Sequence, residues 1–312
     1  MLKYLNNKKI FITGHKGMVG SAFVRNLKKK NCHIITVDKK KINLLDQNKV
    51  FSFLKKKKPD IIIHPAAVVG GIMANDKNKV KFLYENTMIN FNIIYGAHLS
   101  NINNLFFLGS SCIYPSNLKR SIKKEDLLTG KKKKTNEAYA IAKISSLKLC
   151  EYLNQAHKRN YITIMPCNLY GYNDKYDLNN SHVLPALIRK VHEAKKNKLE
   201  EIILWGSGKP LREFLFVDDL INACIKIMIK DNNPALINVG SGKDISILNL
   251  LKLIMKTLKY ECKIIRDRSK PDGTLKKLMD ISYVKKIGWK RKISLKKGIN
   301  LAYRDYIKRH DK

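Results

Sequence analysis

Residues 9–22 read KIFITGHKGMVGSA, and the order of residue types in them decides the fold. Lys9–Thr13 has the short apolar character of a strand. Gly14-His15-Lys16-Gly17-Met18-Val19-Gly20 follows it as a G-x-x-G-x-x-G turn that opens a helical pattern near Met18–Lys30. Glycines there permit a tight turn and let the backbone approach a pyrophosphate, while the helix start offers unpaired N–H groups and the positive end of its dipole. At the first strand-to-helix turn of a βαβ pattern, such a loop points to dinucleotide binding.

Working outward, the rhythm continues. Strand character recurs at His33–Val37, Ile61–His64, Leu105–Gly109 and Ile162–Pro166. Helical patterns occupy Gln47–Lys56, Lys77–Leu99 and Asn136–His157 between them. This is the alternation of a parallel α/β sheet. After Tyr170 it breaks: helix Leu184–Asn197, strand Glu201–Leu204, helix Asp218–Lys230, strand Ile237–Val239 and helix Ile247–Leu258 follow. The expected architecture is α/β, a Rossmann-type doubly wound parallel sheet built from residues 1–170, with 215–240 returning to it. A smaller, interleaved C-terminal substrate lobe takes most of 171–312. No internal repeat or linker separates them.

With 312 residues, 44% of them apolar, the chain can bury a sizeable core. Its longest apolar runs, such as Ile61–Ile63 and Leu105–Leu108, fall far short of the roughly 18 residues that span a bilayer. No N-terminal signal pattern precedes the first strand, and no membrane partner is expected. Cys32, Cys112, Cys150, Cys167, Cys224 and Cys262 contain no C-x-x-C pair and read as free thiols of a cytoplasmic protein. The formal net charge of +37 would suit nucleic acid, but the lysines are spread through every segment without interleaved aromatics or a binding motif. Lys, Asn and Ile are abundant together, which points to a composition bias, so no nucleic acid is expected. The same field does favour small molecules that carry phosphate.

Two further features carry chemistry. Tyr139 and Lys143 stand at Y-x-x-x-K spacing in a helical segment, which puts both on one face. A neighbouring ammonium favours phenolate and is expected to lower the tyrosine pKa towards neutrality, making it a usable acid or base. Ser110, in Gly109-Ser110-Ser111-Cys112 just past the fourth strand, lies where ligands of open parallel sheets bind and can hydrogen-bond a substrate carbonyl. The end of strand two, Asp38-Lys39-Lys40, is ambiguous. An acidic residue favours the free ribose hydroxyl of NAD, whereas the lysines, with Lys16, suit the 2′-phosphate of NADP.

Glycine loop, strand-end serine and YxxxK, in that order, resemble the extended short-chain dehydrogenase/reductase family. Nine runs narrow the resemblance: Gly14–Ala22 (GHKGMVGSA), Val69–Ile72 (VGGI), Leu108–Pro115 (LGSSCIYP), Asn136–Lys143 (NEAYAIAK), Asn168–Gly171 (NLYG), Asn180–Ala186 (NSHVLPA), Trp205–Gly208 (WGSG), Arg212–Phe214 (REF) and Lys270–Thr274 (KPDGT). They look like the branch that acts on GDP-4-keto-6-deoxy-D-mannose as a 3,5-epimerase and 4-reductase. The resemblance implies a GDP-sugar substrate, NADP as cofactor with NAD left open by Asp38, and a homodimer formed through Tyr84–Leu99 and the YxxxK helix.

It also implies roles. Ser110, Tyr139 and Lys143 would reduce the ketone, and Cys112 with His182 would be the epimerisation acid–base pair. Cofactor contacts would come from Gly14, His15, Lys16, Gly17, Met18, Val19, Gly20, Asp38, Lys39, Leu108, Gly109, Ser110, Ser111 and Lys143. Pro166, Cys167, Asn168, Leu169 and His182 complete that set. Lys190, Trp205, Arg212, Asp272 and Lys277 would hold the nucleotide sugar. No metal is implied. From the residues alone, Cys112 also reads as a buried structural thiol and His182 as a helix cap. The chain departs from the family pattern at Val68, usually basic, at Cys167, usually threonine, and at Lys190, usually arginine. The family's arginine is missing at the end of strand two.

Overall fold

The computed structural model describes residues 3–178, 181–270 and 272–310. Asn180 and Pro271, each inside a run quoted above, lie outside the described residues. In chain order come β1 (Lys9–Ile12), α1 (Met18–Leu27), β2 (His33–Ile35), α2 (Gln47–Lys57), β3 (Ile61–His64), α3 (Ile72–Lys77), α4 (Lys79–Leu99), β4 (Asn104–Leu108), α5 (Glu137–His157) and β5 (Asn160–Pro166). There follow β6 (Asn168–Tyr170), α6 (Val183–Lys196), β7 (Glu201–Trp205), β8 (Leu211–Phe216), α7 (Val217–Met228) and β9 (Leu236–Val239). The chain closes with β10 (Asp244–Ser246), α8 (Ile247–Leu258), β11 (Lys263–Asp267), β12 (Lys276–Lys277), α9 (Ser282–Lys286) and α10 (Leu295–His310).

The central sheet has the order β2-β1-β3-β4-β5-β9, with every pair parallel. Its strands are continuous apolar runs because both faces are covered. Alternation by two sorts them: Ile10, Ile12, Ile61, Ile63, Phe106 and Leu108 pack on one side with α1 and α7. Phe11, Ile62, Leu105 and Phe107 pack on the other with α2, α4 and α5. From β1 the chain steps one way to β2 and then back across to β3, so the crevice at the carboxyl ends of β1 and β3 is the topological switch point where such sheets bind ligands.

The second lobe has its own core, in which α6, α8 and α10 pack with Tyr170, Tyr176, Phe214 and Phe216. Its spine is β8. β10 runs antiparallel along it, while β12 and β6 pair parallel with successive parts of it. β7 and β11 form a separate parallel pair. Glu213 of β8 is fully buried and accepts backbone N–H groups from Gly242 at 2.6 Å and Met279 at 2.8 Å. One carboxyl group thus stitches three segments of this lobe. Burial pushes it up to about 7, against the pull of those donors.

The sequence pattern differs from the structure in three places. The helix expected over 77–99 is α4, and a short α3 that was not expected precedes it, the two divided at Asn78 with a φ of −122° and ψ of 41°. β6, β8, β10, β11 and β12 were not expected. Most are three residues or fewer, or gain strand character only from partners distant in sequence. α10 was also missed, although Ile299, Ala302 and Tyr306 bury one face at helical spacing.

Candidate active site

The cofactor loop is shaped by contacts that only glycine tolerates. Gly14 has a φ of +57°, and a Cβ there would lie 3.0 Å from the Ala66 Cα after β3. Gly17 N–H closes the turn onto the Gly14 carbonyl at 2.9 Å and precedes α1 without a side-chain cap. The first N–H groups of that helix therefore face the loop unpaired by a side chain. A Cβ on Gly20 would collide with the Gly14 carbonyl oxygen, so helix and loop approach closely here. Met18 and Val19 turn inward onto the sheet core. His15 and Lys16 converge on the Asp38 carboxylate, at 3.4 and 2.6 Å, while Lys39 stays exposed. The Lys16 ammonium holds Asp38 below the usual carboxylate range. The acid that would read a ribose hydroxyl is thus already paired with a lysine.

β4 delivers the next group. A Cβ on Gly109 would press on the thioether end of Met165 of β5, so glycine leaves that side chain undisturbed before Ser110. Ser110 has extended backbone and starts a 3-10 turn over Ser111–Ile113, its Oγ accepting the Cys112 N–H at 3.4 Å. Ser111 is buried beneath it. From α5, Lys143 is 1% exposed and donates to the Leu108 carbonyl at 2.7 Å, with its Nζ 4.5 Å over the Phe107 ring. The same Nζ lies 5.7 Å from the Tyr139 ring centre, so α5 does present tyrosine and lysine together.

The electrostatics correct one expectation. Burial lowers the Lys143 ammonium to about 7, because no carboxylate repays its desolvation. Tyr139 is not pulled towards neutrality: burial, with the nearby Cys112 thiol adding to it, pushes its phenol well above the ordinary value. Cys112 behaves alike. Burial raises its thiol, and Lys277, Ser110 and Lys143 only partly offset that.

Beyond Cys112 the cleft is cationic. Arg212 of β8 and Lys277 of β12 are register partners on adjacent strands. Burial lowers both, and the charges of Arg212 and Lys133 add to the lowering at Lys277. Lys133 was not singled out from sequence, since a run of four lysines reads as a solvated loop. Its own ammonium is lowered by burial and then by Arg212. His182 precedes α6 with no side-chain capping bond, so its ring is not spent on the helix. That ring is solvent-accessible, yet the surrounding cleft and the Lys175 and Lys277 ammoniums hold it below its ordinary value.

Farther out, Trp205 is 50% exposed with the Lys190 ammonium 4.8 Å over its ring, and Lys190 also donates to the Ile203 carbonyl. Asp272 accepts the Ser207 N–H at 2.9 Å and its hydroxyl at 2.6 Å, and it also faces Arg212. It holds the Trp205–Gly208 loop against the cationic strands. On the cofactor side, Pro166 ends β5, Cys167 is buried with its N–H on the Val239 carbonyl at 3.0 Å, and Asn168 donates to the Glu213 carbonyl at 2.8 Å. Leu169 packs on the sheet core.

A parallel sheet with a glycine-rich first crossover, and a Tyr–Lys pair on α5 beside the turn that follows a strand-end serine, places the chain in the class of nicotinamide-dependent carbonyl reductases of Rossmann fold. The profile of the NAD dependent epimerase/dehydratase family matches residues 10–240. The chain is 44% identical over 303 residues to a GDP-L-fucose synthase of Sinorhizobium fredii, covering 97% of this chain and 96% of that one. It is 42% identical over 318 residues to the GDP-L-fucose synthase of Escherichia coli, covering 99% of each. Among solved structures, a GDP-mannoheptose C4 reductase of Campylobacter jejuni with NADP bound superposes with a TM-score of 0.88 at 34% identity, covering 96% of this chain and 98% of that one. The chain belongs to the NAD dependent epimerase/dehydratase family and, within it, to the GDP-L-fucose synthases.

Proposed function

We propose that the protein converts GDP-4-keto-6-deoxy-D-mannose to GDP-L-fucose, by epimerisation at C3 and C5 followed by reduction of the C4 ketone with NADPH. The observation that carries this reading is the Ser110–Cys112 turn. It puts the Ser110 hydroxyl and the Cys112 thiol two residues apart, beside Tyr139, Lys143 and Lys277, which suits a carbonyl-binding hydroxyl and an acid–base thiol. The C4 ketone acidifies the protons at C3 and C5. Cys112 with its thiol raised and His182 with its imidazole lowered share one transferable proton at neutral pH. Such a pair can remove a proton from a centre and return one to it. Ser110 orients and polarises the ketone by donating its hydroxyl to the oxygen. Tyr139, held protonated, gives its proton to the new alkoxide, and the Lys143 ammonium stabilises the phenolate left behind. Bound NADPH supplies the hydride.

Gly14, Gly17 and Gly20, the open start of α1, Lys143 and the Pro166–Leu169 segment would hold the dinucleotide. Lys16 paired to Asp38, with Lys39 alongside, favours the 2′-phosphate of NADP over NAD. Arg212, Lys277 and Lys133 suit the diphosphate, with Trp205 and Lys190 on the nucleotide side. A homodimer through α4 and α5, and a reducing cytoplasmic setting for six free cysteines, complete the reading. Among the described residues no helix is long and apolar enough to cross a membrane.

The test is a product assay with GDP-4-keto-6-deoxymannose, run side by side with NADPH and NADH, the sugar identified by NMR. GDP-L-fucose formed faster with NADPH is the expected result. A product reduced but not epimerised would instead favour a C4 reductase of the kind represented by the Campylobacter relative, and no reduction would overturn the reading.

A further inference from the structure

A buried polar chain ties the ends of β1 and β3 to α4 and α5 behind the site, and none of the roles assigned above uses it. His64, the last residue of β3, is fully buried. Its Nδ1 lies 2.8 Å from the Thr13 hydroxyl at the end of β1, and its Nε2 lies 3.1 Å from the Asn90 Oδ1 on α4. The Asn90 amide donates to Ser146 Oγ on α5 at 2.9 Å, and that hydroxyl donates to the Ala142 carbonyl at 2.6 Å. At the other end the Ala66 N–H donates to the Thr13 hydroxyl at 3.2 Å.

With a neutral imidazole, only one set of proton positions satisfies every bond. Ser146 spends its proton on Ala142, so it accepts from the Asn90 amide, and Asn90 presents its oxygen to His64. His64 therefore carries its proton on Nε2 and accepts the Thr13 hydroxyl proton on Nδ1, leaving Thr13 Oγ1 free to accept from Ala66. A second proton on His64 would reverse the Thr13 bond and place a buried cation near Lys143, and burial accordingly lowers the imidazole to about 3.

The two ends of this chain are the two halves of the hydride site. Thr13 precedes Gly14, and Ala66 is the residue on which Gly14 packs. Ala142 and Ser146 bracket Lys143 on the turn of α5 that follows Tyr139. We infer that His64, through Thr13, Asn90 and Ser146, is a positioning residue that fixes the catalytic turn of α5 against the cofactor loop for hydride transfer. Cys112 and His182 lie on other segments and make none of these bonds, so proton exchange at C3 and C5 should be spared when the network is cut. The inference rests on the proposed reading of the site.

The experiment compares wild type with Ser146→Ala, Thr13→Val, His64→Phe and, as a conservative replacement, His64→Gln. Three quantities are read: NADPH-dependent reduction at saturation, the primary isotope effect with 4-deuterated NADPH, and solvent deuterium exchange at C3 and C5 in the presence of NADP⁺. Ser146→Ala and Thr13→Val should slow reduction by about tenfold or more, as small displacements of reacting groups do. The isotope effect should rise as hydride transfer becomes slow, and exchange should stay near wild type. His64→Gln, which keeps a donor and an acceptor, should retain more reduction than His64→Phe. Reduction and exchange falling by the same factor, or both unchanged, overturns the inference. A wild-type protein that neither exchanges nor reduces the sugar overturns the underlying reading instead, and shows it before any variant is compared.

Discussion

Cys112 and Tyr139 share one electrostatic condition: burial keeps both protonated in the free protein, and the cations around them only moderate it. The separate tasks proposed for them predict separable defects. Cys112→Ser should suppress deuterium exchange at C3 and C5 by about a hundredfold, the lower range of acid–base contributions, while NADP binding stays unchanged. Unchanged exchange would clear the thiol of its role. Tyr139→Phe should abolish reduction yet retain exchange, and a variant that still oxidises NADPH at the wild-type rate would require another acid. Lys143 predicts the pH profile. Its ammonium, lowered to about 7, is lost as pH rises, and with it the cation that stabilises the tyrosine phenolate. The kcat/KM for reduction, which reports the free enzyme, should therefore fall above about pH 7. A profile flat to pH 9 would show that Lys143 stays charged. At this scale the sequence reveals residues whose spacing is itself chemical, as with Ser110, Tyr139 and Lys143. It conceals His64 and Lys133, because the partners that give them meaning are on other elements and a lysine run or a strand-end histidine has no distinguishing pattern.

At the scale of elements, β1 and α1 show why the opening stretch was so informative. A tight turn, a close approach and an open helix start are all local requirements, and glycines meet them within seven residues. Gly20→Ala would drive a methyl group into the Gly14 carbonyl and displace the loop. The expected outcome is an NADPH dissociation constant raised about tenfold or more, with binding of the GDP-sugar little changed. Equal cofactor affinity by fluorescence titration would show that the loop relaxes freely. The second lobe was poorly legible for the opposite reason. β6, β10 and β12 are too short to carry a period of their own, and they become strands by pairing with β8. Glu213 completes that arrangement by accepting backbone groups from residues 242 and 279, contacts that no local pattern announces. α10 is different: its apolar spacing was present, but a helix so rich in lysine and arginine reads first as surface.

For the whole molecule, a net charge of +37 bears directly on the proposed pairing of two copies. α4 leaves Val80 82% exposed and Tyr84 62% exposed, with Tyr95 and Leu99 continuing at helical spacing, and α5 adds Ile141 and Tyr152. Two packed helices showing large apolar side chains to solvent are the face the proposed homodimer would cover. Like charge on both copies opposes association, and salt screens it, the Debye length shrinking from about 30 Å at 0.01 M to about 10 Å at 0.1 M. The dimer should therefore tighten as salt is added, the reverse of an interface held by opposite charges. Sedimentation should show two chains at 0.3 M salt, partial dissociation at low salt, and single chains for Tyr84→Lys combined with Tyr152→Lys. Because α5 carries Tyr139 and Lys143 as well as Ile141 and Tyr152, dissociation should also lower reductase activity. A double variant that stays dimeric, or a wild type that dissociates as salt rises, would place the interface elsewhere.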